Sequence, residues 1–132
     1  MAAGASAREQ GLRFLREGSP TDSVDFLLKA VVEDPSDVDL YLYLGLAYAR
    51  QEEFDKAIHI LEQAVDVAPT SAKVHYNLGV AYHRASNLTQ AKDEYLRALG
   101  LDPTYAAAKK ALDSLASKQS EQPAAESGSP EA

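Results

Sequence analysis

Prolines recur every 34 residues along this chain, at Pro35, Pro69 and Pro103. Glycines and alanines at other positions follow the same period: Gly11, Gly45, Gly79, Ala30, Ala64 and Ala98. A fixed period of this length indicates copies of one supersecondary unit that stack, because each copy can bury its apolar face only against its neighbours. The pattern therefore predicts a repeat protein. We expect the function of such a protein to be surface recognition and not chemistry.

The composition narrows the classes of partner. The chain has 132 residues, a formal net charge of -7 and no cysteine. Nucleic acid and anionic membranes both require an excess of Lys and Arg, so neither is an expected partner. Without cysteine there are no disulfides, thiolate nucleophiles or thiolate metal sites. The first residues lack a basic start followed by an apolar stretch, and no apolar run approaches the roughly 20 residues of a membrane span, so we expect a cytoplasmic protein without membrane insertion.

Residues 38–71 form the clearest copy of the repeat. Tyr41, Leu44 and Tyr48 recur at helical spacing and predict one amphipathic helix, on which Gly45 would let a neighbouring helix approach closely. A second apolar series predicts a second helix that ends before the proline of this copy: Phe54, Ala57, Ile58, Leu61, Ala64 and Val65. The copy is therefore a pair of helices joined by a short polar turn.

Residues 72–105 repeat this scheme, and residues 4–37 repeat it with more polar side chains. In the first copy Gln10 and Arg13 stand where the other two copies have leucine and alanine. A polar first unit is expected of a terminal repeat, because one of its faces lies in water.

Hydroxyl residues also follow the period, since Ser36, Thr70 and Thr104 each come directly after one of the prolines. We expect each hydroxyl to cap the helix that follows by accepting a hydrogen bond from a free backbone amide. Thr104 would then open a seventh helix over residues 105–117, which can lie against the last repeat. Residues 118–132 contain no large apolar side chain and are expected to form a disordered acidic tail.

This pattern resembles the tetratricopeptide repeat, a 34-residue helix-turn-helix unit. The resemblance covers residues 4–105 and rests on a series that two copies share: Tyr41, Leu44, Gly45, Tyr48, Ala57, Leu61, Ala64 and Pro69 in one, and His75, Leu78, Gly79, Tyr82, Ala91, Tyr95, Ala98 and Pro103 in the other. It implies an all-α, right-handed superhelical solenoid over residues 4–117, with antiparallel helix pairs at 4–37, 38–71 and 72–105 and a C-terminal capping helix at 105–117. It also implies that the first helices line a concave groove, the second helices form the convex back, and members typically hold peptides or helices as adaptors or scaffolds.

The family geometry assigns a set of first-helix side chains to the groove. Apolar and aromatic members would receive a partner's apolar anchors, unless they pack on a neighbouring helix or a second copy of the chain: Leu12, Leu42, Tyr43, Leu46, Tyr76 and Val80. The basic members would grip the partner: Arg8, Arg16, Arg50, Lys73 and Arg84. Asn77 and His83 belong to the same groove face. Tyr43 and Tyr76 lie on adjacent first helices and are expected to meet. The arginines at 16, 50 and 84 keep the period and predict a ladder for an acidic peptide, or else solvated cations at helix C-termini.

Some members of the family hold a partner's C-terminal carboxylate, as in chaperone tails, with a set of Lys, Asn and Arg side chains. Arg8 and Lys73 could supply two basic members of such a set. Leu12 and Tyr43 replace the two expected asparagines, however, and Asn77 replaces the expected arginine. We therefore expect that this clamp is absent.

Catalysis and metal binding have little support in the sequence. His75 and His83 are eight residues apart, about 12 Å along a helix, which is too far to share one ion. No Gly-rich phosphate loop, nucleophile elbow or His-Glu-x-x-His motif is present. We therefore expect a non-catalytic, cofactor-free adaptor whose partner is a peptide or helix of another protein, with acidic residues. Two alternatives stay open: a self-assembling scaffold, although a homo-oligomer is not favoured, and a small acidic chaperone of the secretion type.

Overall fold

The computed structural model describes residues 6–121, and this part of the chain contains helices and no strand. The helices are α1 (Ala7–Arg16), α2 (Pro20–Glu33), α3 (Val38–Arg50), α4 (Phe54–Val67), α5 (Ala72–Arg84), α6 (Leu88–Leu101) and α7 (Ala106–Glu121). They form three antiparallel pairs followed by a seventh helix that packs on α6. The predicted all-α helical repeat solenoid is confirmed.

A glycine marks a close approach of the two helices within each pair. A Cβ atom added to Gly45 would stand 2.8 Å from Leu61 Cγ, and one added to Gly79 would stand 2.6 Å from Tyr95 Cε1. The glycine of the first pair, Gly11, meets Leu27 at 2.7 Å in the same way. These distances are shorter than real side-chain contacts, so the 34-residue glycine period reflects a steric requirement of the helix pair.

The stacking of the pairs defines two faces. The first helix of the middle repeat, α3, contacts both α1 and α5, whereas α2 and α4 have first helices as their principal neighbours. The first helices therefore crowd together on one side of the stack, which we call the inner face. The second helices lie further apart on the opposite side, which we call the outer face.

Each helix pair turns through a residue with a positive φ angle: Gly18 at 82°, Glu52 at 60° and Ser86 at 67°. In the middle repeat the amide of Glu52 donates to the carbonyl of Ala49, and the amide of Glu53 donates to that of Tyr48, both at 2.9 Å. This pair of bonds is a Schellman motif, which satisfies the last carbonyls of a helix and requires the left-handed conformation. The three turns therefore share one hydrogen-bonding pattern, although only the first has glycine at this position.

The predicted caps after the prolines are wrong. The hydroxyls of Ser36 and Thr104 donate instead to the carboxylates of Asp34 and Asp102, at 3.0 and 2.7 Å. The side chain of Asp37 caps α3. A carboxylate two residues before the hydroxyl captures it within the turn, so the next residue is left to cap the helix.

The middle turn shows the same shift by one residue. Ser71 caps α5 by accepting from the amide of Val74 at 3.2 Å, in the place expected of Thr70. The 34-residue spacing of the hydroxyls thus marks the turn and does not mark the cap.

The seventh helix is longer than expected. It buries Ala108 and Leu115 and continues to Glu121, so residues 118–121 are helical and do not belong to a disordered tail. No glycine or proline interrupts the sequence before Pro123, so the helix has no reason to stop at residue 117. The remaining predicted tail, 122–132, lies outside the described residues, as do residues 1–5. Within the described part, no helix is long and apolar enough to cross a membrane.

Candidate functional site

Charge is segregated between the two faces of the stack. The inner helices α1, α3 and α5 carry six Lys or Arg and two Asp or Glu. The outer helices α2, α4 and α6 carry four Lys or Arg and eight Asp or Glu. A chain with a net charge of -7 therefore presents a basic inner face, which favours an acidic ligand there.

Five of the predicted groove residues converge on one crevice between α3 and α5, which we call the inner crevice. It has a volume of about 60 Å³ over the buried Gly45 and Leu61. Its walls combine apolar side chains with one amide and one guanidinium: Leu42, Leu46, Ala49, Asn77, Val80 and Arg84. Leu46 is 40% exposed, so a large apolar side chain faces water beside this crevice.

Tyr43 and Tyr76 do not meet, contrary to expectation. The guanidinium of Arg8 lies 5.9 Å from the centroid of the Tyr43 ring, on the side of the first repeat. The ring of Tyr76 lies 5.8 Å from that of Tyr95 and 5.3 Å from that of Tyr105. The two tyrosines occupy positions one residue apart in the repeat, and a step of one residue turns a helix by about 100°, so they contact opposite neighbours.

The periodic arginines are not equivalent in the folded protein. Arg50 donates to the carbonyl of Leu15 at 2.9 Å and so caps the C-terminus of α1. The guanidinium of Arg84 lies 5.3 Å from the centroid of the Phe54 ring. Arg16 is exposed at the edge of the stack, in a separate depression that it shares with Leu12. Two members of the expected ladder thus have partners within the protein.

The remaining predicted groove residues differ in how firmly the fold holds them. Arg8 forms an ion pair with Asp37 at 2.6 Å, which partly neutralises its charge. Lys73 is exposed, and its carbonyl accepts from the side chain of Asn77 at 2.8 Å. His83 Nδ1 lies 3.3 Å from the Tyr95 hydroxyl.

His75 packs in the core and is 6% exposed. Among the described residues, no group of three or more His, Asp or Glu could hold a metal ion.

Sequence reasoning missed one surface altogether. An apolar crevice of about 600 Å³ lies on the outer face between α2 and α4, and Leu28, Val32 and Ile60 contribute to its walls. We call it the outer crevice. A comparison of equivalent positions would have indicated it, because Leu28 and Ile60 stand where the next repeat has Glu62 and Glu94.

Comparison with known proteins agrees with this architecture. The family model described as the tetratricopeptide repeat matches residues 8–61 and 42–106. No curated protein matches the chain significantly.

Among solved structures, the Sgt2 TPR domain from Aspergillus fumigatus is 20% identical, with a TM-score of 0.82 over 96% of this chain and 85% of that one. The first TPR domain of human RPAP3 is 24% identical, with a TM-score of 0.81 over 88% and 91%. The first TPR of Spaghetti (RPAP3), bound to the HSP90 peptide SRMEEVD, is 24% identical, with a TM-score of 0.80 over 86% and 90%. The family model matches the chain over most of its length, so the chain belongs to the tetratricopeptide repeat family.

Proposed function

We propose that this protein is a non-catalytic interaction module that binds a segment of another protein on its inner face. The segment would be a peptide or helix with acidic residues and at least one apolar anchor. The observation that carries the proposal is the exposed Leu46 beside the inner crevice, on a face where Lys and Arg outnumber Asp and Glu by six to two. An apolar anchor gains free energy from burial there, and the surrounding basic residues select acidic flanks.

The peptide-bound relative supports a ligand of this chemistry. The HSP90 peptide bound to the Spaghetti domain, SRMEEVD, carries three acidic residues near its end. In this chain, however, Leu12, Tyr43 and Asn77 replace three of the residues expected of a C-terminal carboxylate clamp, and Arg8, which could supply a fourth, is paired with Asp37. We therefore infer that an internal acidic segment is the ligand and that a chaperone tail is not.

The proposal can be tested with two designed peptides that share the same leucine positions. One carries Glu at all other positions and the other carries Lys. Binding is followed by fluorescence anisotropy and by the methyl NMR signals of Leu42, Leu46 and Val80. We expect the Glu peptide to bind more tightly and to shift these three methyl groups.

A matched pair of variants locates the site. Leu46→Glu places a like charge beside the inner crevice and should weaken binding of the Glu peptide at least about tenfold. Leu96→Glu changes a leucine that is 48% exposed on α6, on the outer face, and should leave binding unchanged. Tighter binding of the Lys peptide, or equal effects of the two variants, would refute the inner face as the site.

Sedimentation separates this function from the alternative of a self-assembling scaffold. An adaptor should stay monomeric as its concentration rises, whereas a scaffold should gain mass. A secretion-type chaperone is the other alternative, and recovery of an unfolded export substrate from the native cells would favour it.

A further inference from the structure

Arg84 differs from the other periodic arginines in what holds its guanidinium. The group lies 5.3 Å from the centroid of the ring of Phe54, the first residue of α4. Pro20 stands at the position of the first repeat that Phe54 holds in the second, and it has no aromatic ring. Arg50, which keeps the same spacing from Pro20, donates to the carbonyl of Leu15. A ring contact at one junction thus takes the place of a backbone hydrogen bond at the other.

The donors of Arg84 are open to a ligand. Arg84 is exposed, and within residues 6–121 its guanidinium forms neither an ion pair nor a hydrogen bond. The side chains of Arg8, Arg13 and Lys56, by contrast, each contact a carboxylate. An aromatic ring covers one face of the planar guanidinium and leaves the N–H groups along its edge free. Such an edge can bind a carboxylate through two parallel hydrogen bonds.

The inner crevice limits what can lie beside Arg84, which forms part of its wall. Its volume of about 60 Å³ admits one apolar side chain. A whole helix, about 10–12 Å across, cannot enter a space of this size. An extended segment fits better, because it presents single side chains to one side.

The spacing between the crevice and Arg84 defines a spacing in the ligand. Val80 lines the crevice, and Arg84 follows it by four residues of α5, about 6 Å along the helix axis. In an extended peptide every second side chain lies on the same side, about 6.6 Å from the last. A residue two positions from the one in the crevice therefore lies level with Arg84.

We propose that Arg84 determines the specificity of the inner face by binding an Asp or Glu two positions from the apolar anchor of an extended segment. This inference rests on the proposed function, since it concerns the same site. Phe54 is a positioning residue, because its ring holds the guanidinium of Arg84 beside the crevice without contacting the ligand. An acidic residue one position from the anchor would face away from Arg84.

The test uses three acetylated, amidated peptides of identical composition, each with one leucine and two glutamates among serines. The glutamates lie one, two or four positions from the leucine, on both sides of it, so the result does not depend on the direction of the bound peptide. We expect the peptide with a spacing of two to bind the full chain at least about tenfold more tightly than the others. It should also shift the methyl signals of Leu42, Leu46 and Val80.

Variants of Arg84 show whether it causes this preference. With Arg84→Gln the three peptides should bind equally, and Arg84→Lys should lose most of the preference, because an ammonium group lacks the planar fork. Arg13→Gln is the matched control and should keep the preference. Arg13 is exposed and also lies over a ring, that of Phe14 at 4.9 Å, but it does not border the inner crevice.

Two changes at Phe54 separate positioning from packing. Phe54→Leu keeps an apolar side chain but removes the ring, so the preference for a spacing of two should fall several-fold. Phe54→Tyr keeps the ring and should retain the preference. A purely structural role would lower the affinities for all three peptides alike and leave their ratio unchanged.

The outcomes distinguish this inference from the proposed function. If all three peptides shift the inner methyl groups and bind equally, the proposed function stands and the role of Arg84 is refuted. A preference that survives Arg84→Gln would also refute that role, and a preference for a spacing of four would replace the extended segment by a helix. If no peptide shifts these methyl groups, the proposed function and this inference both fail.

Discussion

The imidazole of His75 and the carboxylate of Glu94 form a buried pair, with 2.8 Å between Nδ1 and Oε1. The second ring nitrogen, Nε2, donates to the carbonyl of Pro69 at 2.9 Å. Because that carbonyl can only accept, Nε2 must carry a proton, and Nδ1 shares a second proton with Glu94. Neither side chain can therefore be replaced alone without leaving its buried partner incomplete.

The middle repeat has different residues at the two positions that His75 and Glu94 occupy in the last repeat. Tyr41 stands where His75 does and donates to the carbonyl of Pro35 at 2.8 Å, while Ile60 stands in the place of Glu94. The two repeats thus use a Tyr–Ile and a His–Glu combination on one backbone.

These two combinations should be exchangeable only as pairs. We expect His75→Tyr and Glu94→Ile each to lower the free energy of unfolding by about 1–3 kcal/mol, because each leaves one buried polar atom, Oε1 of Glu94 or Nδ1 of His75, without its partner. The double variant should recover most of this loss, since it reproduces the combination of the middle repeat. Urea denaturation of the four proteins gives the coupling energy, and simple additivity of the two losses would contradict the exchange.

The glycine contacts predict opposite effects of one substitution at two sites. Gly79→Ala should lower the free energy of unfolding by about 1–3 kcal/mol, since its Cβ would stand 2.6 Å from the ring of Tyr95. Gly100→Ala in α6 has no atom within 4 Å of the new Cβ and should raise it by about 0.5–1 kcal/mol through helix propensity. Denaturation curves measure both, and a stabilising effect at Gly79 would disprove the close contact.

The turns within the repeats predict stabilising changes to glycine. Glu52→Gly and Ser86→Gly remove side chains from residues with positive φ angles, and each should raise the free energy of unfolding by up to about 1 kcal/mol. Gly18→Ala is the reverse change at the equivalent turn and should be destabilising, although no atom lies within 4 Å of its Cβ. If Gly18→Ala left thermal and urea stability unchanged, the left-handed turn would not be a constraint.

Alkaline pH should weaken the fold through Tyr95. Burial raises the pKa of this phenol to about 12, above the value near 10 of an exposed tyrosine. The neutral phenol is therefore favoured in the folded state, so its contribution is complete below about pH 10 and is lost as the pH rises toward 12. Urea midpoints should fall across this range, and they should fall less in Tyr95→Phe. Equal slopes for the two proteins would contradict this assignment, since Tyr82 and Tyr105, whose pKa values burial also raises, are present in both.

Much of the fold was predictable because its determinants are local or periodic. The spacing of Gly45 and Leu61 within one repeat is enough to define the contact of two helices, and its recurrence along the chain defines the stack. His75 lies in the core at the position that Tyr41 holds in the middle repeat. Two of the caps were wrong because the carboxylates of Asp34 and Asp102 bind the hydroxyls of Ser36 and Thr104, and the spacing of the hydroxyls alone does not show this competition.

The candidate sites depend on residues that are distant in sequence. The period by itself determined the helix pairs, their order and the crowded glycines, since each repeat must bury the same stripe against its neighbour. Only the tertiary structure decided that Arg50 caps α1, that Tyr76 packs toward Tyr105, and that Leu28 borders an open crevice. The physical reason is that equivalent positions meet different side chains at each junction, so identical local structure leaves some groups paired and others exposed.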